Sequence, residues 1–330
     1  MTFSFIGGGA WGATLAQVLL DNGHEVMIYE INPSHRALLE KHQHPFFKVT
    51  LPYGIKVTDQ LTEALEFSDY VLLAVPTKFF KNLVQDINKV LKKPKIFINV
   101  SKGFILPDLM TMSQYMNVHM KDKVEHYFSL TGPSHAEEVI ERNLTSLVCS
   151  GASVESREII ASAFNNRYMR LYMSDDLIGS EVAGATKNAI AVTSGILTAL
   201  EYGENARAAL LTKGLHEMKS IILAFGGKEE TATGLTGIGD LIVTGLSLHS
   251  RNFKAGLKIG QGMDKESIEA HEKQTIEGFL TIQALYAFGK QHQLHLPIIE
   301  TAYEIIFNER KISEIIEKIL DHRVKLEQNS

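Results

Sequence analysis

Cysteine is nearly missing from this chain. Cys149 is the one thiol among 330 residues, so no intrachain disulfide can form and a reducing compartment is expected. It lies in the apolar run Leu147-Val148-Cys149, which reads as a buried strand; a nucleophilic thiol is the competing role. Long apolar stretches are missing too, none reaching the ~18 residues of a membrane span. No Lys or Arg precedes Arg36, so the chain start lacks the basic region of a signal peptide, and a cytoplasmic protein is expected. There is no basic excess: Lys plus Arg is 33, Asp plus Glu is 38, and the net charge is -5. That argues against a dedicated nucleic-acid binder and leaves room for a local basic pocket. Pro-rich and Ser-rich linkers and internal repeats are absent. His42 and His44 flank Gln43 in a polar loop with no third ligand at metal-binding spacing, so no metal site is expected. Lys92, Lys93 and Lys95 read as a solvated helix end.

Apolar residues make up 45% of the chain and charged residues 22%, a globular composition. At about 150 residues per domain, the length suits two domains. The first half alternates β-rich runs with helical patterns. Strands are expected at Thr2 to Ile6, Glu25 to Tyr29, Tyr70 to Val75, Lys95 to Val100, His126 to Leu130, Ser146 to Cys149 and Arg170 to Tyr172. Helices are expected at Trp11 to Asp21, Asp59 to Phe67 and Lys78 to Leu91. This alternation predicts an α/β domain with a mainly parallel sheet. From about Ser180 the pattern is helical: Ser180 to Leu200, Ala206 to Phe225, Thr281 to His292 and Pro297 to Leu320. We therefore expect a dinucleotide-binding domain over 1–178 and an all-helical domain over 179–330, with a polar, frayed tail after Asp321. A cleft between two such domains is a common ligand site.

Gly7-Gly8-Gly9-Ala10-Trp11-Gly12 places glycines at the first, third and sixth positions of G-x-G-x-x-G. The loop follows a strand, opens a helix and precedes a second strand, the context a dinucleotide fingerprint requires. Gly7 permits the tight turn, Gly9 admits the pyrophosphate, and Gly12 lets the helix pack on the sheet. Free N–H groups and the helix dipole then face phosphate. Glu30 closes the second strand, where an acid accepts from the adenosine ribose 2′-OH and repels a 2′-phosphate. NAD is therefore expected over NADP, unless Glu30 is a solvated loop charge and Arg36 swings in.

Lys187 interrupts a helix rich in small residues. Its helical neighbours are Ala183, Ile190, Ala191 and Ser194, so its amine is expected to be poorly hydrated, which suits a general acid/base. The alternative is a lysine that snorkels to solvent or pairs structurally with a carboxylate. Gly234-Leu235-Thr236-Gly237-Ile238-Gly239-Asp240 offers close backbones and a carboxylate. Ser250-Arg251-Asn252 offers a guanidinium fork and two hydrogen-bonding side chains for a phosphate, or simply caps a surface helix. Ser101-Lys102-Gly103 and Thr131-Gly132-Pro133-Ser134 follow strands, where open parallel sheets bind ligands.

Taken in order, these blocks resemble the NAD(P)-dependent glycerol-3-phosphate dehydrogenase family over nearly the whole chain. Gly203-Glu204-Asn205-Ala206-Arg207, Gly237-Ile238-Gly239-Asp240-Leu241 and Gln274-Thr275-Ile276-Glu277-Gly278 belong to the same ordered set. The resemblance implies interconversion of dihydroxyacetone phosphate and sn-glycerol 3-phosphate, supplying phospholipid synthesis. It implies that Lys187 is the proton donor or acceptor and Asp240 its partner. Lys102, Gly132 and Ser134 would lie near the substrate, with Ser250, Arg251 and Asn252 holding its end. Arg251 would also lie near the cofactor, whose site Lys102, Ala136, Thr275 and Glu277 would line with the glycine loop. Two departures stand out. Ala10 replaces a common Ser, and Glu30 stands where many bacterial members carry His or Arg. A homodimer through the helical domain is expected, that being the usual assembly of symmetric soluble enzymes. The competing readings are a dehydrogenase of the same plan with another substrate, and a nicotinamide sensor without turnover.

Overall fold

The computed structural model describes residues 1–272 and 275–308. Among the described residues, eight strands form one sheet: β1 (Thr2–Ile6), β2 (Glu25–Tyr29), β3 (Ile55–Thr58), β4 (Tyr70–Leu73), β5 (Lys95–Asn99), β6 (Val124–Thr131), β7 (Thr145–Ser150) and β8 (Met169–Ser174). Their order is β3-β2-β1-β4-β5-β6-β7-β8. All neighbours pair in parallel except β6 and β7, which are antiparallel. Chain order reverses on either side of β1, and the end of β1 carries the glycine loop, beside the end of β4. Phe3, Phe5, Val26, Ile28 and Leu72 pack on one face of the sheet, and Ile6, Met27, Val71, Leu73 and Phe97 on the other. Strands buried on both faces explain why these runs read as continuous apolar stretches.

Seven helices accompany the sheet: α1 (Ala10–Asp21), α2 (Pro33–Glu40), α3 (Leu61–Phe67), α4 (Phe80–Val90), α5 (Met112–His119), α6 (Ala136–Ile140) and α7 (Val154–Phe164). The chain then turns helical through α8 (Leu177–Ala199), α9 (Gly203–Ala224), α10 (Asp240–Gly245), α11 (Arg251–Gly260), α12 (Lys265–His271), α13 (Glu277–His292) and α14 (Pro297–Phe307). Two compact units result, Met1–Glu181 and the described residues from Val182 onward. The expected α/β domain and the helical part after it are both present. The helix expected over Pro297 to Leu320 is seen as α14; its remainder, the tail after Asp321 and Gln274 lie outside the described residues.

Within the second unit, glycines let two helices pack closely. A Cβ on Gly195 would lie 2.1 Å from the Phe253 carbonyl oxygen, and one on Gly256 would lie 1.9 Å from that of Val192. The backbones of α8 and α11 therefore cross at van der Waals contact, a distance only glycine permits. That crossing ties the start of α11 to the lysine-bearing stretch of α8. Cys149 is buried on β7 with its thiol pushed up to about 12 by burial, as suits a packing residue rather than a nucleophile.

Candidate functional site

In the first unit the candidate group is the glycine loop. Gly7 has a φ of +109°, and a Cβ there would stand 2.6 Å from the Ala74 carbonyl oxygen on the neighbouring strand end. One on Gly12 would stand 2.2 Å from the Gly7 oxygen. The loop thus folds back under α1 as a G-x-G-x-x-G turn must. At Gly9 an added Cβ meets no protein atom within 4 Å, and no side chain caps α1. Ala10, Trp11 and Gly12 form the first turn, whose N–H groups have no helical acceptor of their own. This cradle fits a pyrophosphate.

Glu30 follows β2 and is buried. Its Oε2 accepts from Gly8 N at 2.9 Å and its Oε1 from Asn32 N at 2.8 Å. The carboxylate therefore braces the glycine loop, and a solvated loop charge is not what the structure places there. Arg36 Nη1 pairs with Asp59 Oδ2 at 3.0 Å and lies 3.4 Å from the Glu30 carbonyl. Burial, then Asp86, Asp59 and Glu30, push the Tyr29 phenol above its ordinary value.

Three further expected residues meet in the same unit. Lys102 Nζ donates to the Gly132 carbonyl at 3.2 Å, and Ser134 Oγ to the same oxygen at 3.0 Å. Gly132 has a φ of +130°, and a Cβ on it would press on β7 at Ser146 O, 3.1 Å away. Ala136 opens α6 just beyond.

A separate candidate group is in the helical unit. Lys187 is 6% exposed and Asp240 1%. Lys187 Nζ donates to Asp240 Oδ1 at 2.8 Å and to Thr244 Oγ1 at 2.7 Å, and Thr244 Oγ1 lies 3.3 Å from the same carboxylate oxygen. Ala183, Ile190, Ala191 and Ser194 around the lysine are buried. The poorly hydrated amine expected from the sequence is there, and it does not snorkel; the paired carboxylate opposes its desolvation. A wide π-type turn, Leu235–Gly239, delivers Asp240 to the start of α10. A Cβ on Gly237 within it would stand 2.0 Å from the Ala232 oxygen.

Ser250 caps α11, its Oγ accepting from Phe253 N at 3.2 Å. Arg251 is exposed at the first turn. Asn252 bridges three helices: its Nδ2 donates to Asn188 Oδ1 at 2.9 Å, and its Oδ1 accepts from Gly278 N at 2.9 Å. Thr275 and Glu277 stand at the start of α13 beside that bridge. So Lys187, Asp240, Asn252 and the α13 start are brought together in one unit. Lys102, Gly132, Ser134, Ala136 and the glycine loop belong to the other.

Sequence reasoning missed two side chains. Thr244 lies one helical turn after Asp240, so the i, i+4 spacing on α10 could have shown it. His44 reads in sequence as an ordinary loop histidine, yet it is 3% exposed and bonded to the first turn of α1. No sequence signal marks that long-range contact. Among the described residues no three His, Cys, Asp or Glu side chains gather as a metal would need.

Two family models match, together spanning most of the chain. "NAD-dependent glycerol-3-phosphate dehydrogenase N-terminus" covers residues 2–156 and the corresponding C-terminus covers 176–317. A glycerol-3-phosphate dehydrogenase [NAD(P)+] of Acholeplasma laidlawii is 49% identical over 331 residues, covering 99% of each chain. The enzyme of that name from Listeria innocua is 36% identical, covering 99% of this chain and 98% of its own. Among solved structures, a glycerol-3-phosphate dehydrogenase of Coxiella burnetii superposes with a TM-score of 0.92 at 27% identity, covering 97% of this chain and 99% of its own. A ketopantoate reductase of Ralstonia eutropha shares the fold at a TM-score of 0.59 and 16% identity.

Proposed function

Because the chain belongs to the NAD(P)-dependent glycerol-3-phosphate dehydrogenase family, we propose that it interconverts dihydroxyacetone phosphate and sn-glycerol 3-phosphate. The observation that carries the chemistry is the buried Lys187–Asp240–Thr244 cluster, a fixed proton source in a dry setting. Bound NAD(P) supplies or accepts the hydride at the substrate's second carbon. Lys187 holds and delivers the proton that the reacting oxygen takes up in the reductive direction, and recovers it in reverse. Asp240 fixes the ammonium in place and balances its charge, and Thr244 orients it. General acid catalysis of this kind contributes roughly 10²–10⁴-fold.

Arg251, at the exposed start of α11, takes the substrate phosphate, with Ser250 and Asn252 setting the helix start on which it stands. Lys102, Gly132 and Ser134 serve the substrate from the first unit. The glycine loop seats the pyrophosphate, with Ala136, Thr275 and Glu277 completing the cofactor site. We favour NAD over NADP. Glu30, at the end of β2 against the glycine loop, would accept from a ribose hydroxyl and repel a 2′-phosphate, and Arg36 is engaged with Asp59.

The same reading makes the protein a cytoplasmic homodimer that feeds phospholipid synthesis. Exposed Ile242, Leu246 and Leu248 on the helical unit support such an interface. Among the described residues no helix is long and apolar enough to cross a membrane. Initial rates with dihydroxyacetone phosphate, using NADH and NADPH side by side, test the reading. Turnover should depend on the phosphate and favour NADH. Faster turnover of another keto acid or sugar phosphate would overturn the substrate, and a preference for NADPH the cofactor.

A further inference from the structure

His44 lies outside every block that marks the cofactor or substrate site, on the loop between α2 and β3. Its ring is 3% exposed and stacks on Phe47 with centroids 4.5 Å apart. Nδ1 faces two backbone N–H groups, of Phe46 and Phe47, each at 3.1 Å. It must therefore accept, which leaves the proton on Nε2. Nε2 lies 3.1 Å from the Ala10 carbonyl oxygen and 3.2 Å from Thr14 Oγ1. Thr14 Oγ1 in turn donates to that carbonyl at 2.7 Å. Burial pushes the imidazole down to about 4, so it stays neutral near neutral pH and keeps this pattern of one donor and one acceptor.

The imidazole is thus a rigid strut. One end closes its own loop, which also bonds through His44 N to Val49 O and Leu51 N to His42 O. The other end grips the residue that opens α1. We propose that His44 is a positioning residue for the cofactor: it fixes the first turn of α1, and hence the direction of the N–H groups that receive the pyrophosphate. The proposal rests on the dinucleotide reading of the glycine loop. At the tenth residue the alanine side chain offers no hydrogen bond of its own, so the turn is held through its carbonyl. Glu30 braces the same loop from the Gly8 side.

Two substitutions separate the two ends of the strut. His44→Asn keeps an acceptor for Phe46 N and Phe47 N and loses the reach to Ala10. His44→Gln carries an amide donor to the Nε2 position. NADH dissociation constants from fluorescence titration, and amide hydrogen exchange over residues 10–14 without cofactor, give the readouts. His44→Asn should weaken NADH binding by about five- to tenfold and speed exchange in the first turn of α1. Its KM for dihydroxyacetone phosphate should stay within about twofold of wild type. His44→Gln should recover most of the loss. Should the His44→Asn protein fail to fold, Thr14→Val removes the bridging hydroxyl without touching the loop, and should weaken NADH by about two- to fivefold. Unchanged NADH binding in folded His44→Asn, or a His44→Gln protein no better than His44→Asn, overturns the proposal. A wild-type protein that binds no NADH overturns the cofactor reading as well, and the exchange data distinguish the two failures.

Discussion

Replacing Lys187 by Met removes the ammonium while keeping much of the side chain's volume. Two losses follow, and the structure separates them. Asp240 is 1% exposed and its Oδ1 has Lys187 Nζ at 2.8 Å. Without the ammonium this buried carboxylate loses its countercharge, which costs about 3–5 kcal/mol. At roughly 2–4 °C per kcal/mol for a unit of this size, the melting temperature should fall on the order of 10 °C. The catalytic loss is a separate quantity, about 10²–10⁴-fold in kcat if Lys187 is the proton donor. The double variant Lys187→Met/Asp240→Leu removes both charges, so it should regain most of the lost stability and none of the lost turnover. The assay is kcat at saturating NADH and dihydroxyacetone phosphate, with thermal unfolding of each variant under the same buffer. NADH affinity should change little, because no cofactor contact is assigned to Lys187 or Asp240. Near-normal kcat in a folded Lys187→Met protein would remove Lys187 from the proton-donor role and leave the pair a purely structural one.

Three other outcomes follow from particular contacts. Arg251→Ala should raise KM for dihydroxyacetone phosphate at least about tenfold, as loss of a charge-assisted bond to phosphate requires, while NADH binding changes less; steady-state kinetics decide. Asp59→Ala frees the Arg36 guanidinium, now 3.0 Å from Asp59 Oδ2, so the NADPH-to-NADH ratio of kcat/KM should rise by up to about tenfold, and an unchanged ratio would count against the electrostatic argument. Glu217 is buried and accepts from Ile298 N and Ile299 N at the start of α14, yet burial pushes its carboxyl up to about 8, helped by Glu300. A carboxyl that binds its proton more tightly when folded stabilises fully below its unfolded value of 4.5 and loses that contribution as pH rises to about 8. The loss is on the order of 5 kcal/mol. Thermal unfolding across that range should therefore show wild type falling relative to Glu217→Gln, and parallel curves would contradict it.

Much of this architecture can be read from residue order because local pattern and global fold agree. Thr2–Ile6 and Glu25–Tyr29 are apolar runs buried on both faces, and both strands fall where expected. β3 escapes because Ile55–Thr58 is four residues long and only Ile55 and Thr58 are buried, too short for a periodicity to show. α2 escapes because one of its eight residues, Leu39, is buried; its start is marked instead by Asn32, whose side chain caps Ser34 N and His35 N. At the site, the glycine loop and Lys187 are legible from spacing and flanking residues. What spacing does not give is the partner of each group. The bond from Glu30 to Gly8, the junction of Lys102 and Ser134 on the Gly132 carbonyl, and the Asn188–Asn252–Gly278 bridge all depend on how distant elements pack. His44 is the extreme case, a polar loop residue by sequence and a buried strut in space.

On the proposed reading, hydrogen passes directly between the nicotinamide and the second carbon of a three-carbon phosphate, with a protein amine managing the oxygen's proton. Running the reaction in ordinary water with NADH deuterated at C4 in the transferable position, and analysing the product by mass spectrometry and NMR, addresses it directly. Deuterium should appear at C2 of sn-glycerol 3-phosphate and at no other carbon. Product without label, or label lost to solvent, would contradict the claim.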